Sequence, residues 1–188
     1  MSGVHEWFRS TTSTAHARVD AAFSRFRLDE ADSYRSFLVA HAIALFPIEA
    51  WLRGREETVL AGWPMQFRAL ALEEDLSQLD ATAPPGDAFL ASDDPAAIAG
   101  MVYVLEGSRI GGNILAKRVG RGLPRSYLSS PCDAKSWRTT LSRLDDHIYD
   151  FETRKTAAEA AFRVFERFER AARSAALLEQ EESVVRAD

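Results

Sequence analysis

The chain has 188 residues, 46% of them hydrophobic, and a formal net charge of −5. That is enough apolar material for one core, so residues 1–188 read as one domain. A mildly acidic balance argues against a general nucleic-acid binder, which carries a basic surplus or stripe. Cys132, the single cysteine, excludes an intramolecular disulfide and suits a reducing compartment.

No apolar run approaches the roughly 20 residues of a membrane span. The stretch Met1-Ser-Gly-Val-His-Glu6 lacks the basic-then-apolar pattern of a secretory signal. Both features are those expected of a cytoplasmic protein without a membrane partner.

In chain order, Ser10-Thr-Thr-Ser-Thr14 offers several N-caps, after which Ala15, Val19, Ala22, Phe23 and Phe26 recur at helical spacing. His16 shares that stripe, and a lone histidine on a partly apolar face is more often a satisfied core or boundary residue than a ligand. A second helix is expected from about Asp29 or Asp32, carrying Tyr34, Phe37, Leu38, His41, Ala42, Leu45 and Ile48 on one buried face. Pro47 should bend or interrupt it. His41, between Leu38 and Leu45, reads as a buried structural histidine.

Gly62-Trp63-Pro64 breaks the chain, and Met65 to Leu79 predicts a third amphipathic helix with Phe67, Leu70, Leu72, Leu76 and Leu79. Ala83-Pro-Pro-Gly-Asp87 is a loop within the fold. Ser92-Asp-Asp-Pro95 then caps a helix expected from about Asp94 to Arg118.

That helix contains Gly107, Gly111 and Gly112, and an interior glycine costs about 0.5–1 kcal/mol relative to alanine. Gly107 and Gly111 share a face, leaving bare backbone for a crossing helix or for a flat ligand; glycines also permit a bend. Gly120 to Asp133 is irregular, and Asp133 caps a helix through about His147. A last helix starts near Phe151, with Ala158, Ala161, Phe162, Phe165, Phe168 and Ala172 inward and Arg163, Arg167 and Arg170 outward. From about residue 178 the chain becomes an acidic tail, expected to be flexible.

No segment alternates like a strand, so the fold class is all-α. Glu-x-x-His, Gly-x-Ser-x-Gly, the phosphate-binding loop and Cys-x-x-Cys are absent, which removes the di-iron, hydrolase, nucleotide and zinc readings.

Tyr103-Val-Leu-Glu-Gly-Ser-Arg-Ile-Gly-Gly112 resembles the distal helix of haem oxygenases, in particular the bacterial biliverdin-forming type associated with bacteriophytochromes. Phe8-Arg9-x-x-Thr12-x-x-x-His16-x-x-Val19-Asp20 is similar to the N-terminal helix of that family. The resemblance runs in order along nearly the whole chain. It implies a multi-helical domain with haem sandwiched between an N-terminal proximal helix and a glycine-kinked distal helix. By the same resemblance His16 is the proximal iron ligand, and Gly107, Ser108, Gly111 and Gly112 form the distal wall.

Tyr103 and Arg138 match positions near the haem propionates. Because only three lysines occur (Lys117, Lys135, Lys155), Arg9 and Arg18 are further candidates for that task. Ser108 stands where animal-type enzymes carry an aspartate; its hydroxyl holds no charge, which implies an altered distal water network. Glu106, about 100° round the helix from Gly107, is expected in packing or a salt bridge.

The implied activity is cleavage of haem, substrate and cofactor at once, to biliverdin, CO and iron. It consumes O2 and electrons from an external donor such as a ferredoxin or flavoprotein reductase, and a bacteriophytochrome is the implied taker of the product. The alternatives are a non-catalytic haem carrier or sensor, which Ser108 keeps open, and a helical interaction domain without haem.

Overall fold

The computed structural model of the chain describes residues 3–55, 61, 63, 65–131 and 133–185, with side chains as far as residue 176. Gly62, Pro64, Cys132 and the side chains of the acidic tail lie outside the described residues. The elements are α1 (Gly3–Phe23), α2 (Ala31–Arg53), α3 (Ala69–Ser77), α4 (Pro95–Leu115) with a 3-10 turn Ala116–Arg118, α5 (Ala134–His147) and α6 (Phe151–Val185). Among the described residues there is no strand, so the fold is all-α.

The last helix organises the others: α1, α2 and α4 all pack on α6. Its buried face, with Ala157, Ala161, Val164, Phe165, Phe168 and Ala172, is rich in alanine and lets three helices approach one axis. Five of the six helices start or end close to the expected positions, because a buried stripe at 3.6-residue spacing is a strong signal.

The first helix starts earlier than its Ser/Thr run implies. Those hydroxyls sit inside the helix and bond back to it: Thr12 Oγ1 donates to the Phe8 carbonyl at 2.8 Å and Ser13 Oγ to the Ser10 carbonyl at 2.9 Å. Phe8 and Val4, both buried, justify the extra two turns.

Pro47 does not interrupt α2, which runs unbroken to Arg53. Proline removes the N–H that would bond the Ile43 carbonyl. Arg167 of α6 supplies the substitute, donating from Nη2 to Ile43 O at 3.4 Å and from Nε to Ala44 O at 3.1 Å. The same guanidinium reaches the Asp87 carbonyl. Arg167 is therefore buried, where a charged outer face was expected.

By length and composition α2 is apolar enough to cross a membrane, although Asp32, Arg35, Glu49 and Arg53 interrupt it. It is the core helix: Tyr34, Phe37, Leu38, Leu45, Ile48 and Leu52 are fully buried against neighbouring helices.

The third helix is shorter than Met65–Leu79, and Leu70 is 71% exposed instead of inward. Its start is set from outside, by the buried Glu49 carboxylate of α2. That carboxylate accepts from Arg68 N (2.9 and 3.0 Å) and Ala69 N (2.9 Å), a negative charge at a helix N-terminus. Asp75 in turn accepts from the amides of Ser126 and Tyr127, both at 2.9 Å, and so ties the irregular 120–131 segment to α3. Burial raises both carboxyls above their ordinary range, and these amide bonds oppose it. Asp94 and Asp133 cap α4 and α5 as expected, accepting from Ala96 N at 2.8 Å and Ser136 N at 2.6 Å.

Candidate active site

On α1 the inward side is Val4, Phe8, Thr12 and Ala15, and the next step round presents His16 with 62% of its side chain exposed. Its Nδ1 lies 3.1 Å from Asp20 Oδ2, one helical turn on, and its ring meets the edge of Phe165 at 6.0 Å between centroids. A carboxylate on Nδ1 orients the ring and leaves Nε2 as the nitrogen available to a metal. That is the preparation an imidazole needs to bind a metal.

His41 is the opposite case. Phe23 (4.3 Å), Phe37 (4.2 Å), Tyr127 (5.3 Å) and Phe168 (5.8 Å) wall its ring, and Nδ1 bonds the Phe37 carbonyl at 2.9 Å. Burial pushes its pKa down to about 3, so it is a neutral structural group at any ordinary pH.

The glycine helix α4 is continuous, so the glycines do not interrupt its hydrogen bonding. They have three different surroundings. A Cβ on Gly107 would meet Trp137 at 3.7 Å, and one on Gly111 would meet nothing within 4 Å. One on Gly112 would press on the Leu128 carbonyl at 3.2 Å, which puts Gly112 on the packed side of α4 and not on a wall shared with Gly111. The open face continues through Ile110 and Ile114, 44% and 62% exposed. An exposed apolar strip floored by bare glycine backbone suits a flat hydrophobic ligand.

Tyr103, on the same face as Gly107, stacks on Phe8 of α1 (4.3 Å, 13° between planes) and lies 6.0 Å from Trp137 of α5. His5 closes the cluster, 5.8 Å from Trp137. These rings join α1, α4 and α5 beside Gly107. Burial raises the Tyr103 phenol and the nearby Arg9 charge lowers it, so Arg9 belongs to this corner. Arg138 follows Trp137 and is exposed. Arg18 is engaged elsewhere, donating from Nε to Glu169 Oε2 at 3.0 Å, so of the cationic candidates it is the one already paired.

Ser108 is an exposed residue one position round the helix from Gly107. Its hydroxyl donates to the Leu105 carbonyl at 2.7 Å and accepts from Arg68 Nη2 at 2.9 Å. Glu106 is buried in an ion pair with Arg109 (2.6 Å), whose Nη2 also donates to Gln66 Oε1 at 2.9 Å. It is therefore part of the packing, as its place on the helix implied.

The sequence reading quoted Asp20 within the His16 motif but gave it no role, and it assigned none to Trp137 or Arg68. Asp20 carried a usable signal, an acid at i+4 from a histidine. Arg68 carried none, since 40 residues separate it from Ser108.

The outward, oriented imidazole and the open apolar glycine face fit a haem: nitrogen for the iron, bare backbone for the ring, Arg9 and Arg138 for the carboxylates. No protein-family model matches the chain. A heme oxygenase from Xanthomonas campestris pv. campestris (strain 8004) is 29% identical to it over 150 residues, covering 74% of this chain and 88% of the relative. The structure of heme oxygenase from Leptospira interrogans superimposes with a TM-score of 0.70 at 19% identity, covering 91% of this chain and 98% of that one. In sequence the chain is thus similar to one bacterial haem oxygenase, and it has the fold of another.

Proposed function

We propose that this chain is a haem oxygenase, which opens haem with O2 and electrons from an external donor to give biliverdin, carbon monoxide and iron. The observation that carries the reading is the exposed His16, held at Nδ1 by Asp20, in a chain similar to known heme oxygenases. Bound haem supplies the iron that activates O2 and the ring that is opened.

The chain's own residues bind, orient and shield. His16, oriented by Asp20, would hold the iron. Gly107 and Gly111 would offer bare backbone to the ring. Arg9, Arg138 and Tyr103 receive the propionates, and Ile110 and Ile114 keep water from the edge of the ring. Ser108 enters as a hydrogen-bond acceptor, because its own proton is committed to Leu105 O. A ferredoxin or flavoprotein reductase is the electron donor, a bacteriophytochrome an acceptor of the product, and the cytoplasm the setting.

That commitment of the Ser108 proton also favours the second reading, a haem carrier or sensor without turnover. One experiment separates them. Hemin titrated into the purified protein should give a saturable Soret band, and ascorbate with O2 should then bleach it and leave biliverdin absorption. Binding without bleaching would favour the carrier, and no saturable band would remove haem altogether.

A further inference from the structure

We propose that Arg68, at the start of α3, is the charged positioning residue of the distal side and acts through Ser108. The proposal rests on the haem reading above. Arg68 is 4% exposed. Its main-chain N–H is held by both oxygens of Glu49, so the backbone is anchored independently of the side chain. The guanidinium goes elsewhere: Nη2 donates to Ser108 Oγ at 2.9 Å and to Leu105 O at 3.2 Å, and its centre lies 5.1 Å from the Tyr127 ring.

Among the described residues no carboxylate lies within ion-pair distance of that guanidinium. The nearest acid, Glu49, is held by the Arg68 and Ala69 amides and not by the guanidinium, so it offsets the buried charge only in part, and little solvent screens the remainder. Arg109, on the adjacent turn, differs because Glu106 neutralises it. Among the described residues, this buried guanidinium beside the glycine helix makes no ion pair and ends on the residue that replaces the familiar aspartate.

The hydrogen-bond geometry sets what it does. The Ser108 proton goes to Leu105 O and one lone pair takes the Arg68 N–H, which leaves a second lone pair on the exposed side of the residue. Ser108 is thus oriented to accept from a donor on the distal side, while Arg68 favours the ionised form of an acidic group there. A positive charge placed behind the helix does work that a carboxylate on the helix cannot, and with opposite sign.

The ferric hemin complex of the full-length protein reports this without turnover, through the pH midpoint at which its visible spectrum converts from acid to alkaline form. Arg68→Gln should raise that midpoint by about one pH unit, as expected for removing a charge at short range in a weakly screened site. Arg68→Lys, which keeps the charge, should hold it near the wild-type value. Ser108→Ala alters an exposed side chain and leaves Arg68 in place, so it serves if Arg68→Gln fails to fold; losing an acceptor that favours the protonated, donating form should move the midpoint in the opposite direction.

An unchanged midpoint in Arg68→Gln with normal hemin affinity overturns the proposal, as does an unchanged midpoint in Ser108→Ala. Equal shifts in Arg68→Gln and Arg68→Lys would also overturn it, by assigning the effect to packing. Wild-type protein that forms no hemin complex removes the haem reading and this proposal together, a result distinct from the others.

Discussion

A Cβ on Gly100 of α4 would collide with the main chain of Ala157 of α6, coming within 2.8 Å of its carbonyl carbon. On the same face three turns later, a Cβ on Gly111 would meet nothing within 4 Å. One face of one helix thus uses glycine for two opposite purposes. At Gly100 it lets two backbones touch, and at Gly111 it leaves a surface bare, at a cost in helix propensity that packing does not explain.

Substitution should separate the two. Gly100→Ala overpacks the α4–α6 crossing and should destabilise the apo protein by about 1–3 kcal/mol. Gly111→Leu should leave apo stability unchanged or raise it by up to about 1 kcal/mol, while hemin affinity falls. Urea denaturation beside a hemin titration reads both, and a destabilised Gly111→Leu would show that Gly111 serves packing instead.

The proximal pair makes a second test. His16→Ala should abolish the native haem spectrum, and His41→Ala should leave iron coordination intact because its ring is enclosed by aromatics. Asp20→Asn keeps the ligand and weakens its orientation, which should lower affinity for the iron porphyrin about 10–100-fold. Loss of the spectrum in the His41 variant with retention in the His16 variant would reverse the assignment.

The third concerns Pro47 and Arg167. Arg167→Met strands the Ile43 carbonyl and should cost about 1–3 kcal/mol. Pro47→Ala returns an N–H that can bond that same carbonyl, so in the Arg167→Met background it should recover part of the loss. Strictly additive effects in the double-mutant cycle would show that the two residues do not share that carbonyl.

These examples also mark what was legible in the sequence. Helix positions were readable because buried residues repeat every 3.6 positions, and Asp94 and Asp133 announced two starts. The start of α1 was not, since Ser and Thr cap helices but also back-bond within them. Arg167 looked like a surface charge, because nothing local reveals that it serves carbonyls left by a proline 120 positions earlier. Motif wording singled out His16 and the glycines, of which Gly111 has open space beside it and Gly112 is packed. Gly100 lay hidden in an alanine-rich turn, and Arg68 acquires its meaning from a contact that only the folded chain makes.

Acid should act on the fold through His41. Its folded pKa of about 3 lies below the ordinary value of 6.5, so the unfolded state takes up the proton first. Stability from this group is full above about pH 6.5 and falls as pH drops toward 3, by at most about 1.4 kcal/mol per pH unit. The raised carboxyls of Glu49 and Asp75 act in the opposite sense. The comparison is therefore wild type against His41→Gln: denaturation midpoints between pH 7 and 4.5 should fall less steeply in the variant, and parallel profiles would contradict the account.

The central claim is chemical turnover, and product identification after a single turnover tests it most directly. Protein loaded with one equivalent of hemin should, with ascorbate and O2, yield biliverdin identified by mass, together with carbon monoxide. His16→Ala should yield neither at a comparable rate. A wild-type complex that returns intact hemin after the same treatment would contradict the claim and leave a haem-binding protein without oxygenase activity.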